Sequence, residues 1–389
     1  MVVAFGWDRL LSDGYPGYAG DFKERVLKNF LIMALGLFFS CMIASPAYAA
    51  ESTRNMAPFE FIAFGDTPLQ LQENQRNARR INRDSKAAFL VHLGDIKRHL
   101  PCTGARDEMA LEIFNSFNKP IIYTPGDNEW VDCIGDEAGV DYPAFRLKTI
   151  RRVFFIERRY KTIETRVSQA SVSKKFPEFA ENVGWNHNGI RFVTINVSGS
   201  NNNAPRPGYT WDHFDTRIQT LFKFLFKGTF LAKYFMVSRY VEPGSEMARG
   251  DAKEFSRRQE ANAEWLGYAV DRALENDEAA LVIFGHGDPN LHLPPRLRNG
   301  FNPLLKEIRA TARRFPKPIL WVHAQTHRFL MDNPFTHASL FENRLGPELN
   351  LLRVNVPSID SYVKIEVNPN DSWPFTIRPR ILSENEFSQ

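Results

Sequence analysis

The chain is poor in cysteine and in net charge: three cysteines in 389 residues, and 49 Lys+Arg against 45 Asp+Glu, a formal charge of +4. So weak a basic excess does not suggest a dedicated nucleic-acid binder, which carries a basic patch or stripe. Internal repeats, low-complexity tracts and linker-like segments are also missing, so the body parses as one domain of about 340 residues. What is present is ordinary for a globular protein: 43% hydrophobic and 24% charged residues. That balance excludes disorder, collagen and coiled coil as the main body. Phenylalanine is abundant, 32 residues, and predicts large aromatic cores or exposed apolar surface.

The N-terminus reads as an address. Lys23, Arg25 and Lys28 precede an apolar run from Phe30 to Ala44, followed by Ser45-Pro46-Ala47-Tyr48-Ala49. A basic region, a short apolar core and an A-x-A site make a secretory signal peptide, residues 1–49, cut after Ala49. The alternative is a membrane anchor, but the run is shorter than the ~20 residues that span a bilayer. The expected location is periplasmic or secreted. Cys41 leaves with the signal; Cys102 and Cys133 remain, an even pair in an oxidising compartment. That pairing suggests a disulfide; the alternative is two unrelated thiols.

From residue 50 onward, short apolar strands end in polar turns. Phe59–Phe64 ends at Gly65-Asp66, Ala87–Leu93 at Gly94-Asp95, and Pro120–Thr124 at Pro125-Gly126-Asp127-Asn128. Helical spacing fills 70–84 and 106–117, so the first half reads strand, helix, strand, helix, strand, the pattern of a parallel α/β sheet. Further strands are expected at Ile190–Val197, Ala279–Phe284 (ending at Gly285-His286) and Pro318–Val322 (leading to Gln325-Thr326-His327). Helices are expected at 143–153, 254–276 and 303–314, with weak periodicity over 161–188. The alternating tail from Leu351 reads as closing antiparallel strands. A segment rich in Phe and Lys, 221–240 within an insertion around 215–250, reads as a covering helix or hairpin, or as an amphipathic surface touching membrane or partner.

In open α/β sheets, ligands collect beyond the carboxyl ends of the strands. Asp66, Asp95, Asp127, His286 and His327 each follow such a strand and can share one crevice. Carboxylate and imidazole ligands together suit Zn, Fe or Mn, one ion or two. Asp95, from the central early strand, is the natural bridge. A Gly-Asp after a strand is by itself only a turn; five such positions in order are a pattern. His92 and His323 fall in strand bodies, and His187, His99 and His213 in turns or loops, so these read as structural or surface histidines. Asn201 and Asn202 follow a strand and could hydrogen-bond a phosphate; the alternative is a plain loop.

The series Phe64-Gly65-Asp66, His92-Leu93-Gly94-Asp95, Gly126-Asp127-Asn128-Glu129, Gly285-His286 and Gln325-Thr326-His327 resembles the calcineurin-like metallophosphoesterases, whose signature is D-x-H, G-D-x-x, G-N-H-[DE], a lone H and G-H-x-H. Thr124-Pro125-Gly126-Asp127-Asn128-Glu129-Trp130 is similar to an exported bacterial branch. The resemblance spans about residues 59–367. It implies a four-layer α-β-β-α sandwich, metal ions, and hydrolysis of a small phosphoester by a metal-bound hydroxide. It further implies that Asp66, Asp95 and His327 hold one ion and that Asp95, Asp127, His286 and Gln325 hold the other.

Three departures bear on that picture. Pro68 stands where the family has the His of D-x-H, Asn128 where it has the His that meets the leaving group, and Gln325 where it has the first His of G-H-x-H. Asn hydrogen-bonds but gives no proton near neutral pH. The rival readings are a binding module of the cell envelope on the same scaffold, with weakened metal affinity, and an envelope interaction protein working through 221–240.

Overall fold

The computed structural model describes residues 55–66, 71–84, 86–96, 102–133, 143–204, 246–292, 298–338, 348–357 and 361–380. The signal segment, Pro68, His99, His213 and the segment 221–240 lie outside the described residues.

Strand β1 (Phe59–Phe64) alternates strictly: Phe61 and Ala63 face one side, Ile62 and Phe64 the other, and all four are buried. A strand with two apolar faces must be covered on both. The same holds for β2 (Phe89–His92) and β3 (Ile121–Tyr123). These three strands pair parallel, β1 with β2 and β2 with β3. The connections are α1 (Leu71–Asp84) and α2 (Gly104–Asn115). The sequence-expected helix at 143–153 is α3 (Pro143–Ile150), continued by a π-helical segment over Arg151–Glu157.

A second sheet holds β4 (Val167–Ser168), β5 (Val183–His187), β6 (Ile190–Thr194), β7 (Ala280–Phe284), β8 (Ile319–His323), β9 (Leu330–Asp332) and β10 (Leu351–Asn355), in the order β4-β5-β6-β7-β8-β10-β9. The first sheet is completed by β11 (Tyr362–Val367) and β12 (Phe375–Arg380), in the order β12-β11-β1-β2-β3. Two expectations change here. The tail is not wholly antiparallel: β11 pairs antiparallel with β1, but β10 pairs parallel with β8 in the other sheet. The weakly periodic stretch 161–188 holds β4 and β5, two short strands at the edge of the second sheet.

The two sheets pack face to face. Phe61, Phe89, Val91 and Val363 of the first meet Trp185, Phe192, Phe284 and Val322 of the second in one core. Aromatic rings fill it, with Phe61 and Phe89 stacked at 5.3 Å and Trp185 on Phe192 at 5.1 Å; this is where much of the phenylalanine is spent. Ile62, Leu90 and Ile121 turn outward under Ala78, Ile81, Leu111 and Phe114 of α1 and α2. On the far side α4 (Glu246–Glu275) and α5 (Asn302–Arg314) cover the second sheet through Trp265, Ala269, Leu304 and Ile308. The result is the four-layer α-β-β-α sandwich, within one compact unit, Asn55–Gln389. No helix among the described residues is long and apolar enough to cross a membrane.

Candidate metal centre

Six parallel strands deliver their C-terminal turns to one region. Asp66 follows β1, Asp95 follows β2, Asp127 follows β3, Ser198 to Asn202 follow β6, His286 follows β7, and Gln325 and His327 follow β8. Asp66, Asp95, Gln325 and His327 all hold left-handed backbone, φ 48°, 55°, 79° and 59°. Such backbone in non-glycine residues is strained and concentrates at functional sites.

The donors converge. Asp66, Asp95 and His286 offer ligand atoms that all lie within 4.8 Å of one another. His286 Nε2 is 3.5 Å from Asp95 Oδ1 and 3.4 Å from Asp127 Oδ1. His327 Nε2 is 3.6 Å from Asp66 Oδ1, and its side chain is 56% exposed while that of Asp66 is 3% exposed. The backbone N–H of Gln325 donates to Asp66 Oδ2 at 2.9 Å. All five strand-end residues therefore sit round one hollow.

The hollow suits a cation. Three buried carboxylates share it with a buried imidazole. Burial, countered by His286 and reinforced by the charges of Asp127, Glu129 and Asp66, raises Asp95 well above the usual carboxylate range. Burial pushes His286 down, but Asp95, Asp127 and Asp66 outweigh it and hold the imidazole well above its ordinary value. Asp66 Oδ1 and His286 Nε2 are both buried without a hydrogen-bond partner, a state that costs about 1–3 kcal/mol for each neutral group and more for a charged one. His286 Nδ1 lies 2.6 Å from the Leu93 carbonyl. A carbonyl only accepts, so the proton is committed to Nδ1 and Nε2 faces the carboxylates, the usual orientation of a metal-binding histidine. Oxygen and imidazole donors in this arrangement fit a divalent transition ion.

Two expected site residues have other work. Asn202 is fully buried; its Oδ1 accepts from the Ser198 N–H at 3.2 Å and from Arg258 at 2.5 Å, and its Nδ2 donates to the Gly300 carbonyl at 3.0 Å. Asn201 donates to Asn299 Oδ1 at 2.8 Å and accepts from the Gly300 N–H at 3.1 Å. Both side chains tie loops together. The Gln325 side chain bridges two turns: its Oε1 accepts the Asp288 N–H at 3.1 Å and its Nε2 faces Asp127, donating to Oδ2 at 3.2 Å. Asn128 places its backbone N–H 3.1 Å from Asp95 Oδ1. His92 and His323 end β2 and β8 and are fully buried, as their strand positions imply; His187 packs on Phe59 and Phe89.

One residue that the sequence reading passed over organises the centre. Glu129 is fully buried. Its carboxylate accepts the backbone N–H of Asp95 at 3.1 Å, Ile96 at 2.5 Å and Gly126 at 2.6 Å, joining the turns after β2 and β3. The turns approach closely: a Cβ on Gly126 would lie 2.1 Å from Asp95 Oδ1, so only glycine fits there. The disulfide joins Cys102 to Cys133, Cα atoms 5.7 Å apart.

A family model described as calcineurin-like phosphoesterase matches residues 59–288, more than half of the chain. Among solved structures, the chain is similar to PhoD at 10% identity, with 84% of this chain and 69% of that chain covered and a TM-score of 0.47. It is also similar to a dimetal phosphatase from Danio rerio at 10% identity, with 82% and 99% covered and a TM-score of 0.45. No curated protein sequence matches the chain.

Proposed function

The chain belongs to the calcineurin-like phosphoesterase family, and on that premise we propose that it is an exported, metal-dependent phosphoester hydrolase. The observation that carries the reading is the buried group of Asp66, Asp95 and His286, whose donor atoms lie within 4.8 Å of one another. These three would hold the ion, with Asp127 and His327 at its flanks. When bound, a divalent metal withdraws charge from a phosphoryl oxygen and acidifies water.

The chain's own residues supply the rest. The Leu93 carbonyl fixes the His286 ring through Nδ1, so that Nε2 faces the carboxylates. Glu129 and the Asn128 N–H fix the Asp95 turn. Asn128 offers no proton to a departing alkoxide, so substrates with good leaving groups are favoured. The Cys102–Cys133 disulfide supports an oxidising location, in keeping with residues 1–49 as a signal segment.

A second reading, a binding module on this scaffold without turnover, has one observation in its favour: Gln325 turns its amide nitrogen toward Asp127, so one family ligand is withdrawn. Metal content of the purified chain with Mn, Fe or Zn supplied, followed by a panel of aryl phosphate mono- and diesters, separates the two. The hydrolase reading expects bound metal and turnover that Asp95→Asn abolishes. Metal-free protein, or equal rates for variant and parent, sinks it.

A further inference from the structure

The disulfide touches the metal centre through one short piece of backbone. The Asn128 carbonyl lies 3.8 Å from Cys102 Sγ and 3.7 Å from Cys133 Sγ, and the Glu129 carbonyl lies 3.2 Å from Cys133 Sγ. Both half-cystines are buried, Cys102 6% exposed and Cys133 fully enclosed. The opposite side of the same backbone faces the site. The Asn128 N–H donates to Asp95 Oδ1, and the Glu129 carboxylate gathers the N–H groups of Asp95, Ile96 and Gly126. The bridge therefore closes a loop of covalent and hydrogen bonds: from Cys102, downstream of Asp95, across to Cys133, downstream of Asp127, and back through Asn128 and Glu129 to Asp95.

We propose that the Cys102–Cys133 disulfide is a positioning element of the metal centre: it presses the Asn128–Glu129 backbone against the Asp95 turn, so that opening it loosens the carboxylate spacing and weakens metal binding while the sandwich stays folded. Asp95 and Asp127 reside on turns, and these contacts join the two turns to each other. The strands beneath them are held independently by the inter-sheet core. A metal site tolerates little error in donor placement, and partners that orient ligands commonly govern about 10–100-fold in affinity. The bond is also chemically reversible. A dithiol reductant attacks one sulfur, breaks the S–S bond, delivers two electrons and two protons, and leaves as its own disulfide; the chain gains two thiols. Metal occupancy is thereby coupled to the thiol–disulfide state of the surroundings.

The proposal rests on the metal reading above, and the test separates them. Mn²⁺ affinity is measured on the full chain as purified, on the Cys102→Ser/Cys133→Ser double variant, and on dithiol-reduced parent freed of reductant, with thiols counted by maleimide labelling. Amide hydrogen exchange is followed in parallel. The expected result is Mn²⁺ binding weakened about tenfold or more in the opened forms, restored when the parent is reoxidised with oxidised glutathione. Faster exchange is expected at Asp95, Ile96, Gly126 and Asn128, with the strands still protected. If the double variant fails to fold, the reduced parent gives the same comparison. Unchanged Mn²⁺ affinity with both thiols free overturns the proposal and leaves the metal reading standing. So does a loss accompanied by exchange throughout the strands, which is unfolding. Absence of Mn²⁺ binding in the oxidised parent overturns the metal reading and takes the proposal with it.

Discussion

Gln325 donates its side-chain N–H to Asp127 Oδ2 across 3.2 Å, an orientation locked because its oxygen already accepts the Asp288 N–H at 3.1 Å. An amide held this way is a hydrogen-bond donor to a carboxylate, not an oxygen ligand beside it. The Asp127 side of the centre is therefore short of one donor compared with the family signature. Gly199 makes the arrangement tight, since a Cβ there would fall 1.9 Å from Gln325 Nε2.

Gln325→His puts an imidazole where the amide nitrogen now lies. Mn²⁺ binding at the Asp127 side should tighten by about tenfold or more, because a ring nitrogen replaces an N–H that offers no lone pair. Isothermal titration of parent and variant checks this; equal isotherms would show that position 325 does not reach the ion.

Glu129→Gln keeps the shape of the side chain and removes its charge. The carboxylate accepts three backbone N–H groups, and bonds to an ionised acceptor are about twice as strong as neutral ones. An amide has one oxygen for these donors and turns an N–H toward the rest. Exchange at Asp95, Ile96 and Gly126 should accelerate, and metal affinity should fall by about tenfold or more. Protection unchanged at all three amides would show that the carboxylate is not what holds the turns.

The reach of sequence reading follows from where each interaction is encoded. Asp66, Asp95, Asp127, His286 and His327 are legible because each ends a buried apolar strand, and parallel topology alone sends those ends to one side. Glu129 is written in the same run as Asp127, yet its partners lie on the turn 33 and 34 residues upstream, a relation set by tertiary packing. Asn201 and Asn202 carry the composition of a ligand loop, but Arg258, deep in α4, claims Asn202. The strands absent from the sequence expectation are the short and mixed ones: β5 carries Asn186 and His187, and β9 is mostly exposed. Helix α4 begins at Glu246, eight residues before the expected 254, because Gly250 and the polar residues around it carry no apolar periodicity.

Arg258 is fully buried and makes contacts in four directions: Asn202 Oδ1 at 2.5 Å and its carbonyl at 2.8 Å, the Asn196 carbonyl at 3.3 Å, and Glu254 at 2.7 Å. Its guanidinium also lies 5.4 Å from the Trp130 ring. Arg258→Ala strips partners from two buried carbonyls and a carboxylate. Breaking a buried pair in this way costs about 3–5 kcal/mol, so the urea midpoint should fall sharply. A shift within ±0.5 kcal/mol, the range of ordinary surface substitutions, would be incompatible with the role described.

His323 gives a pH dependence whose sign can be worked out. The ring is fully buried at the end of β8; Nδ1 lies 3.2 Å from the Ala324 carbonyl and Nε2 has no partner. Burial, with Arg353 adding to it and Asp288, the Ala324 carbonyl and Asp332 opposing, lowers its pKa from 6.5 to about 4. In the unfolded chain the group binds a proton near 6.5, so between about pH 6.5 and 4 the unfolded state holds more protons than the folded one. Stability therefore rises with pH across that window and is lost on acidification, by about 2 kcal/mol at pH 5 from this group alone. Below about pH 4 the folded form also protonates and the loss levels off. His323→Phe removes both the titration and the unpaired nitrogen while keeping a ring against Trp321, whose centroid is 5.3 Å away. Urea midpoints at pH 7 and pH 5 for parent and variant read the difference directly. The parent should lose more stability than the variant between the two, by about 2 kcal/mol; equal losses would mean that the buried imidazole is charged, or solvated, in the folded chain at both values.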